Sequence, residues 1–223
     1  MGLVDPDARP IRIPFGQSWL DADLIAGRSQ GSTIIFAHGS GSGRRSPRNR
    51  QVAARLSAHG FGTLLLDLLT ESEARNDEIT AEHRFNIPLL TERLLVATDW
   101  LIAKPEGRGI PIGYFGASTG GAVAMIAAAQ RPESVGAIVL RGARSDLGDS
   151  AAPRIRCPTL LIAGENDALI RRANERTLEL LRCEKQLEVI PDASHLFEEP
   201  GALETVAERT SEWFGRYLFS VQK

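Results

Sequence analysis

Only two cysteines occur in the 223 residues, Cys157 and Cys183, and nothing in their spacing suits a metal. They read as small buried or half-buried side chains in a reducing compartment, which points to the cytoplasm. A net charge of −2 gives no global reason to expect nucleic acid or an anionic membrane as a partner. No apolar run approaches the roughly 20 residues needed to span a bilayer. The opening M-G-L-V-D-P-D-A-R-P lacks the basic-then-apolar order of a secretory signal. Linkers, internal repeats and low-complexity tracts are missing too, so residues 1–223 read as one domain. Nothing calls for a metal or a cofactor.

What is present is the composition of an ordinary globular chain, 43% hydrophobic and 24% charged. Residues 11–15 and 19–25 predict an opening antiparallel hairpin. Short apolar runs at 32–37, 62–66, 136–140, 159–163 and 187–190 suit strands covered on both faces. Between them lie helical patterns at 47–58, from Pro88 onward, and at 169–182. The last helix carries Leu203, Val206, Ala207, Thr210, Trp213, Phe214 and Tyr217 on one docking face. Residues 68–87 are charged and irregular and predict a solvated loop with a mobile tip. The stretch 141–158 is too short for a separate helical lid. This alternation predicts an α/β fold, a mostly parallel sheet of about eight strands with helices on both faces and no large lid domain.

The chain is organised around Ile110 to Gln130, an apolar run followed by an alanine-rich helix. Between the two halves sits Gly116-Ala117-Ser118-Thr119-Gly120, a G-x-S-x-G on a strand-to-helix turn. Such an elbow holds the serine in a strained conformation with its hydroxyl clear of the sheet. The helix start at Thr119 offers N–H groups and a positive dipole end to a developing oxyanion.

Loops at the C-terminal ends of parallel strands gather on one edge. Here that edge collects His38 to Arg45, Ser118, the run Gly164-Glu165-Asn166-Asp167, and Pro191-Asp192-Ala193-Ser194-His195. A nucleophilic serine needs a base, and the base needs a carboxylate to fix its tautomer. Of four histidines, His59 falls at a helix end and His83 in the charged loop, whereas His195 follows the last strand and His38 adjoins the glycine loop. Asp167 leads as the acid, with Glu165, Asp146 and Asp192 as alternatives.

With H-G-S-G after the third strand, G-A-S-T-G-G at the elbow, G-E-N-D and S-H-L-F, the chain resembles α/β-hydrolases of the dienelactone hydrolase-like group over nearly all its length. The resemblance implies Ser118 as nucleophile, His195 as base, Asp167 as orienting acid, and the backbone N–H groups of Ser40 and Thr119 as oxyanion hole. The namesake enzymes use a cysteine nucleophile, and a serine there implies a general carboxylic-ester hydrolase acting on a small molecule. Esterase, lactonase, thioesterase and amidase chemistry share this apparatus.

Two rival classes compete with that expectation. The Gly39–Gly43 loop after a strand, with Asp67 further on, imitates a dinucleotide fingerprint, although the third glycine of G-x-G-x-x-G and any G-K-[ST] are missing. A catalytically silent hydrolase fold acting as a binding module is the other. Among the basic residues, Arg44, Arg45, Arg48 and Arg50 read as a solvated cluster balancing the acidic loop. The sharper expectation is that His38, Arg44 or Arg141 contacts substrate, an arginine pairing with a substrate carboxylate. Trp19, Trp100 and Trp213 read as core.

Overall fold

The computed structural model describes residues 8–27, 32–104 and 109–219. Every position of β4 (Gly62–Leu66) and β5 (Ile112–Ala117) is buried, as expected of strands covered on both faces. With β1 (Arg9–Phe15), β2 (Ser18–Ile25), β3 (Thr33–Ala37), β6 (Val135–Arg141), β7 (Thr159–Gly164) and β8 (Lys185–Ile190), they make one eight-stranded sheet. Its order is β1-β2-β4-β3-β5-β6-β7-β8. The opening hairpin pairs antiparallel, Ile13 opposite Leu20, and β2 runs antiparallel to β4. From β4 to β8 every pairing is parallel. The sheet matches the expected class, with no large lid domain among the described residues.

Alternate side chains divide the core in two, because successive strand residues face opposite sides. Ile35, Leu64, Tyr114, Ile138 and Leu161 face α3 (Ile87–Ile102) and α4 (Thr119–Gln130). Ile34, Leu65, Phe115, Val139 and Leu160 face α1 (Pro47–Ala58) and α6 (Ala202–Leu218). The alanines of α4 allow it to sit close on the sheet. At the elbow the fit is tighter still: a Cβ at Gly116 would come within 2.6 Å of Gly120 O, and one at Gly120 would collide with Ala37 O. Either substitution would force β5, α4 and β3 apart.

Residues 68–87 depart from expectation. They hold α2 (Glu71–Thr80), a helix capped reciprocally: Thr70 Oγ1 accepts from Glu73 N, and the Glu73 carboxylate accepts from Thr70 N. Glu73 also takes 2.7 Å from the buried guanidinium of Arg93 in α3, which lies 3.6 Å over the ring of Phe15. At the far end, the Asp77 carboxylate accepts from the backbone N–H groups of His83 and Arg84 and from Arg84 Nε. Burial would raise the Asp77 carboxyl, but these donors more than offset it and hold it below the usual range. A solvated loop has no such fixings at both ends.

A fifth helix, α5 (Ala168–Leu180), follows β7. Between β6 and β7 only two short 3₁₀ turns occur, Ser145–Gly148 and Ala152–Arg154. Trp213 is core, but Trp19 is exposed beneath Arg12, and Trp100 carries Lys104 over its ring. Cys157 is buried and Cys183 half-buried, both free, and burial pushes the Cys157 thiol up to about 12. Among the described residues no helix is long and apolar enough to cross a membrane.

Candidate active site

Ser118 closes β5 and caps α4 at φ 51°, ψ −120°, a left-handed conformation that a non-glycine residue adopts only under constraint. The constraint is visible. Its N–H donates to Arg141 O at 3.1 Å, and its carbonyl accepts from Gly121 N at 3.0 Å and Arg144 N at 2.9 Å. Among the described residues its hydroxyl has no hydrogen-bond partner. Resting-state hydrogen bonds of this kind often tighten only when substrate is bound.

His195 arrives on the loop after β8, with its ring against Gly142 at the end of β6: a Cβ built on Gly142 would lie 3.6 Å from His195 Cε1. His195 Nδ1 lies 2.6 Å from Asp167 Oδ2. Asp167 is the N-cap of α5, where Oδ1 accepts from Ile170 N at 3.4 Å. The alternative acids are engaged elsewhere. Glu165 accepts from the Asp192 backbone at 2.9 Å, and Asp146 holds Arg144 by both oxygens. Among the described residues Asp192 enters through its backbone alone, Asn166 Nδ2 donating to its carbonyl at 2.8 Å.

The glycine loop after β3 borders the other side of Ser118. A Cβ at Gly39 would approach Ser118 Cβ to 3.0 Å. Ser40 N–H donates to Thr119 Oγ1 at 2.9 Å, so this amide is held by a protein hydroxyl in the resting state. Thr119 N–H, first in its helix, has no intrahelical acceptor. His38 is buried and uses both ring nitrogens. Nδ1 meets Gly39 O at 2.9 Å, and Nε2 accepts from Leu68 N at 3.0 Å, which fixes the neutral tautomer with its proton on Nδ1. Burial lowers its pKa, outweighing the Gly39 carbonyl and Asp67.

Two of the expected substrate contacts already have partners in the resting structure. The ring of His38 lines a cavity, but neither nitrogen is free. Arg44 is locked to Asp67 through both its backbone N–H and its guanidinium, with Asp23 at 3.5 Å. Arg50 likewise donates to Asp23 and Arg48 to Glu198, so among the described residues Arg44, Arg48 and Arg50 pair with Asp23 of β2, with Asp67 just after β4 and with the loop after His195. Arg141 points to the face covered by α1 and α6, 5.6 Å over the ring of Phe197. Among the described residues its Nε and Nη1 are buried without a partner, and burial together with nearby Arg48 lowers its pKa to about 10.

A cavity of about 130 Å³ lies between the glycine loop and α2, lined by His38, Ser40, Leu69, Ala74, Asp77 and Arg84 among others. It adjoins a more open cleft of about 520 Å³ bordered by Asp21, Arg44, Arg45, Asp67 and Glu71. Arg84 is fixed on Asp77 by its Nε and donates from Nη2 to Asp77 O, whereas its Nη1 has no partner among the described residues. That nitrogen would be 3.7 Å from a Cβ on Gly41.

Residues 28–218 match the pattern of the dienelactone hydrolase family. The chain belongs to the dienelactone hydrolase family. It is 49% identical to the dienelactone hydrolase from Anabaena variabilis ATCC 29413, with a TM-score of 0.93 over 96% of this chain and 100% of that one. Est1E from Butyrivibrio proteoclasticus, 16% identical with a TM-score of 0.79 over 93% and 98% of the two chains, shares the fold. A protein present in two strains of Mycobacterium tuberculosis, provisionally named a phosphoribosyl transferase, is 47% identical over 97% of this chain and 49% of its own length. The chain spans about half the length of these curated relatives, and that name attaches to the longer protein.

In this member of the dienelactone hydrolase family, the residues that the sequence did not bring forward are Asp77, Arg84 and the helix α2 that carries the cavity wall. One signal was available. Thr70-x-x-Glu73 is a capping-box pattern, and Glu71 with Arg75 adds an i,i+4 pair at 2.8 Å.

Proposed function

We propose that the protein is a serine hydrolase of small carboxylic esters, lactones or thioesters, working through an acyl-enzyme on Ser118. The Ser118 hydroxyl attacks the carbonyl carbon while His195 Nε2 takes its proton. The Asp167 carboxylate keeps the other ring proton on Nδ1 and stabilises the imidazolium. The bond to the leaving group then breaks and His195 returns the proton to it. Water, deprotonated by the same histidine, releases the acid. The oxyanion is received by Thr119 N–H and by Ser40 N–H, the latter on release from the Thr119 hydroxyl.

One observation carries this reading: the 2.6 Å contact between His195 and Asp167, next to a serine held at φ 51° on a strand-to-helix elbow. Family membership and a fold shared with esterases support hydrolysis over nucleotide binding. Gly39, the first residue of the Gly39–Gly43 loop, already packs on Ser118. The chain acts as one cytoplasmic catalytic unit on a small molecule, with no cofactor. The test is turnover of short p-nitrophenyl esters, lactones and thioesters by the protein and by Ser118→Ala. Loss of several orders of magnitude in kcat is expected, and undiminished turnover would overturn the reading.

A further inference from the structure

The sheet order separates the two halves of the substrate. Ser118 ends β5; His195 and Asp167 lie toward β6, β7 and β8, while the glycine loop and α2 lie toward β3 and β4. In acyl transfer the leaving oxygen must face the histidine that protonates it. The leaving group therefore departs over the β6–β8 side, and the acyl group extends over the β3–β4 side. This argument rests on the catalytic roles proposed above.

The two sides differ in chemistry. On the acyl side the cavity and its adjoining cleft are lined by eight charged side chains, Asp67, Asp77, Glu71 and Arg84 among them, beside the apolar Leu69, Ala74 and Leu90. Most of these charges are spoken for: Asp67 by Arg44, Asp77 by Arg84, Glu71 by Arg75. Arg84 Nη1, rigidly aimed from a guanidinium fixed on Asp77, is a donor left over beside the glycine loop. An alkyl chain entering here would desolvate it without replacing its hydrogen bonds, which is unfavourable. The elements on the leaving-group side carry three exposed leucines. Leu147 is 39% exposed and follows Arg144, whose N–H holds Ser118 O. Leu169, two residues after Asp167, is 77% exposed, and Leu196, next to His195, is 38% exposed.

We infer that the enzyme is selective for esters of a short, polar acyl group, hydroxylated or otherwise rich in hydrogen-bond acceptors, joined to an apolar alcohol or phenol. The polar acyl group accepts from Arg84 in the cavity, and the apolar leaving group lies on the exposed leucines until His195 protonates it. In the chemical step the Ser118 Oγ–acyl bond forms and the bond from the acyl carbon to the leaving oxygen breaks. The serine proton travels through His195 to that oxygen. A lipase-like preference would be the reverse, with an apolar acyl chain.

Four esters test this on the unmodified protein: hexyl butyrate, hexyl 3-hydroxybutyrate, and the same two acids esterified to a methoxy-capped diethylene glycol. The hydroxylated acid is expected to raise kcat/KM by about tenfold, the scale of one hydrogen bond to a charged group. The hexyl alcohol is expected to raise it by roughly threefold over the glycol through modest apolar burial on the exposed leucines. Arg84→Gln should flatten the acyl preference alone, and Leu169→Asn, at an exposed position, the alcohol preference alone. Turnover with butyrate preferred, or with no effect of acyl polarity, overturns the inference while leaving the hydrolase intact. Absence of turnover for all four, with Ser118 unreactive toward a fluorophosphonate, overturns the hydrolase reading and this inference with it. Absence of turnover with Ser118 reactive overturns the inference alone.

Discussion

The Asp167 carboxylate serves two neighbours at once: Oδ2 lies 2.6 Å from His195 Nδ1, and Oδ1 caps α5 through Ile170 N. The helix that follows β7 thus fixes the orientation of the carboxylate that would orient the base.

Asp167→Asn separates these duties. Asparagine caps a helix about as well as aspartate, so the unfolding midpoint should move little. The amide does not hold the imidazole in the required tautomer, and kcat should fall by about 10³-fold or more. Thermal unfolding and steady-state kinetics on one preparation check both. A large fall in midpoint with modest loss of kcat would make Asp167 a cap and nothing more.

Thr119→Val removes the acceptor of Ser40 N–H and keeps the shape of the side chain. Ser40 lies in an exposed stretch of the loop, so loss of this hydrogen bond should cost about 0.5–1.5 kcal/mol of stability. The glycine loop should lose its register against Ser118, lowering kcat more than it raises KM. Thr119→Ser should restore both. Unchanged kinetics in the valine variant would remove the threonine hydroxyl from the account.

His38 predicts a pH dependence of stability. Its pKa is lowered in the folded chain, and Nε2 must stay unprotonated to accept from Leu68. As pH falls through about 6.5, the ordinary histidine value, the unfolded chain takes up the proton and the folded chain resists it. The unfolded state then binds more protons, so stability falls with pH in that window. Asp67, nearby, moderates the effect by favouring the charged ring. His38→Gln should be less stable than the native chain at pH 7.5, yet lose less on acidification to pH 5.5. Parallel losses in the two proteins would assign the acid sensitivity elsewhere.

Arg141 remains charged at neutral pH although two of its nitrogens are buried and unpaired among the described residues. Replacing such a group by an apolar side chain of similar volume is often neutral or stabilising. Arg141→Met should therefore match or exceed the native unfolding midpoint in urea. A clear loss, reversed in the native chain by no added salt, would mean that an anion or another partner holds the guanidinium in solution, as a substrate carboxylate would.

Much of this arrangement could be read from residue patterns. The apolar runs at 62–66 and 159–163 and the helix at 47–58 depend on burial and capping that local sequence records. So does the elbow, because Gly116 and Gly120 answer a collision between adjacent elements. What could not be read depends on distant partners. Arg44 looks available until Asp67, 23 residues on, closes on it, and Arg84 looks like one charge among many until Asp77 fixes it. The segment 68–87 was misjudged because its helix has almost no apolar face: it is held by the Thr70–Glu73 cap, by Arg93 and by Asp77, not by periodic hydrophobic burial.

The most direct test of the central claim is intact-mass and peptide analysis after treatment with a fluorophosphonate. The account predicts one adduct per chain, on Ser118, formed at a rate that falls sharply in His195→Ala and Asp167→Asn and absent from Ser118→Ala. An unmodified chain, or an adduct on another serine that persists in Ser118→Ala, would contradict it.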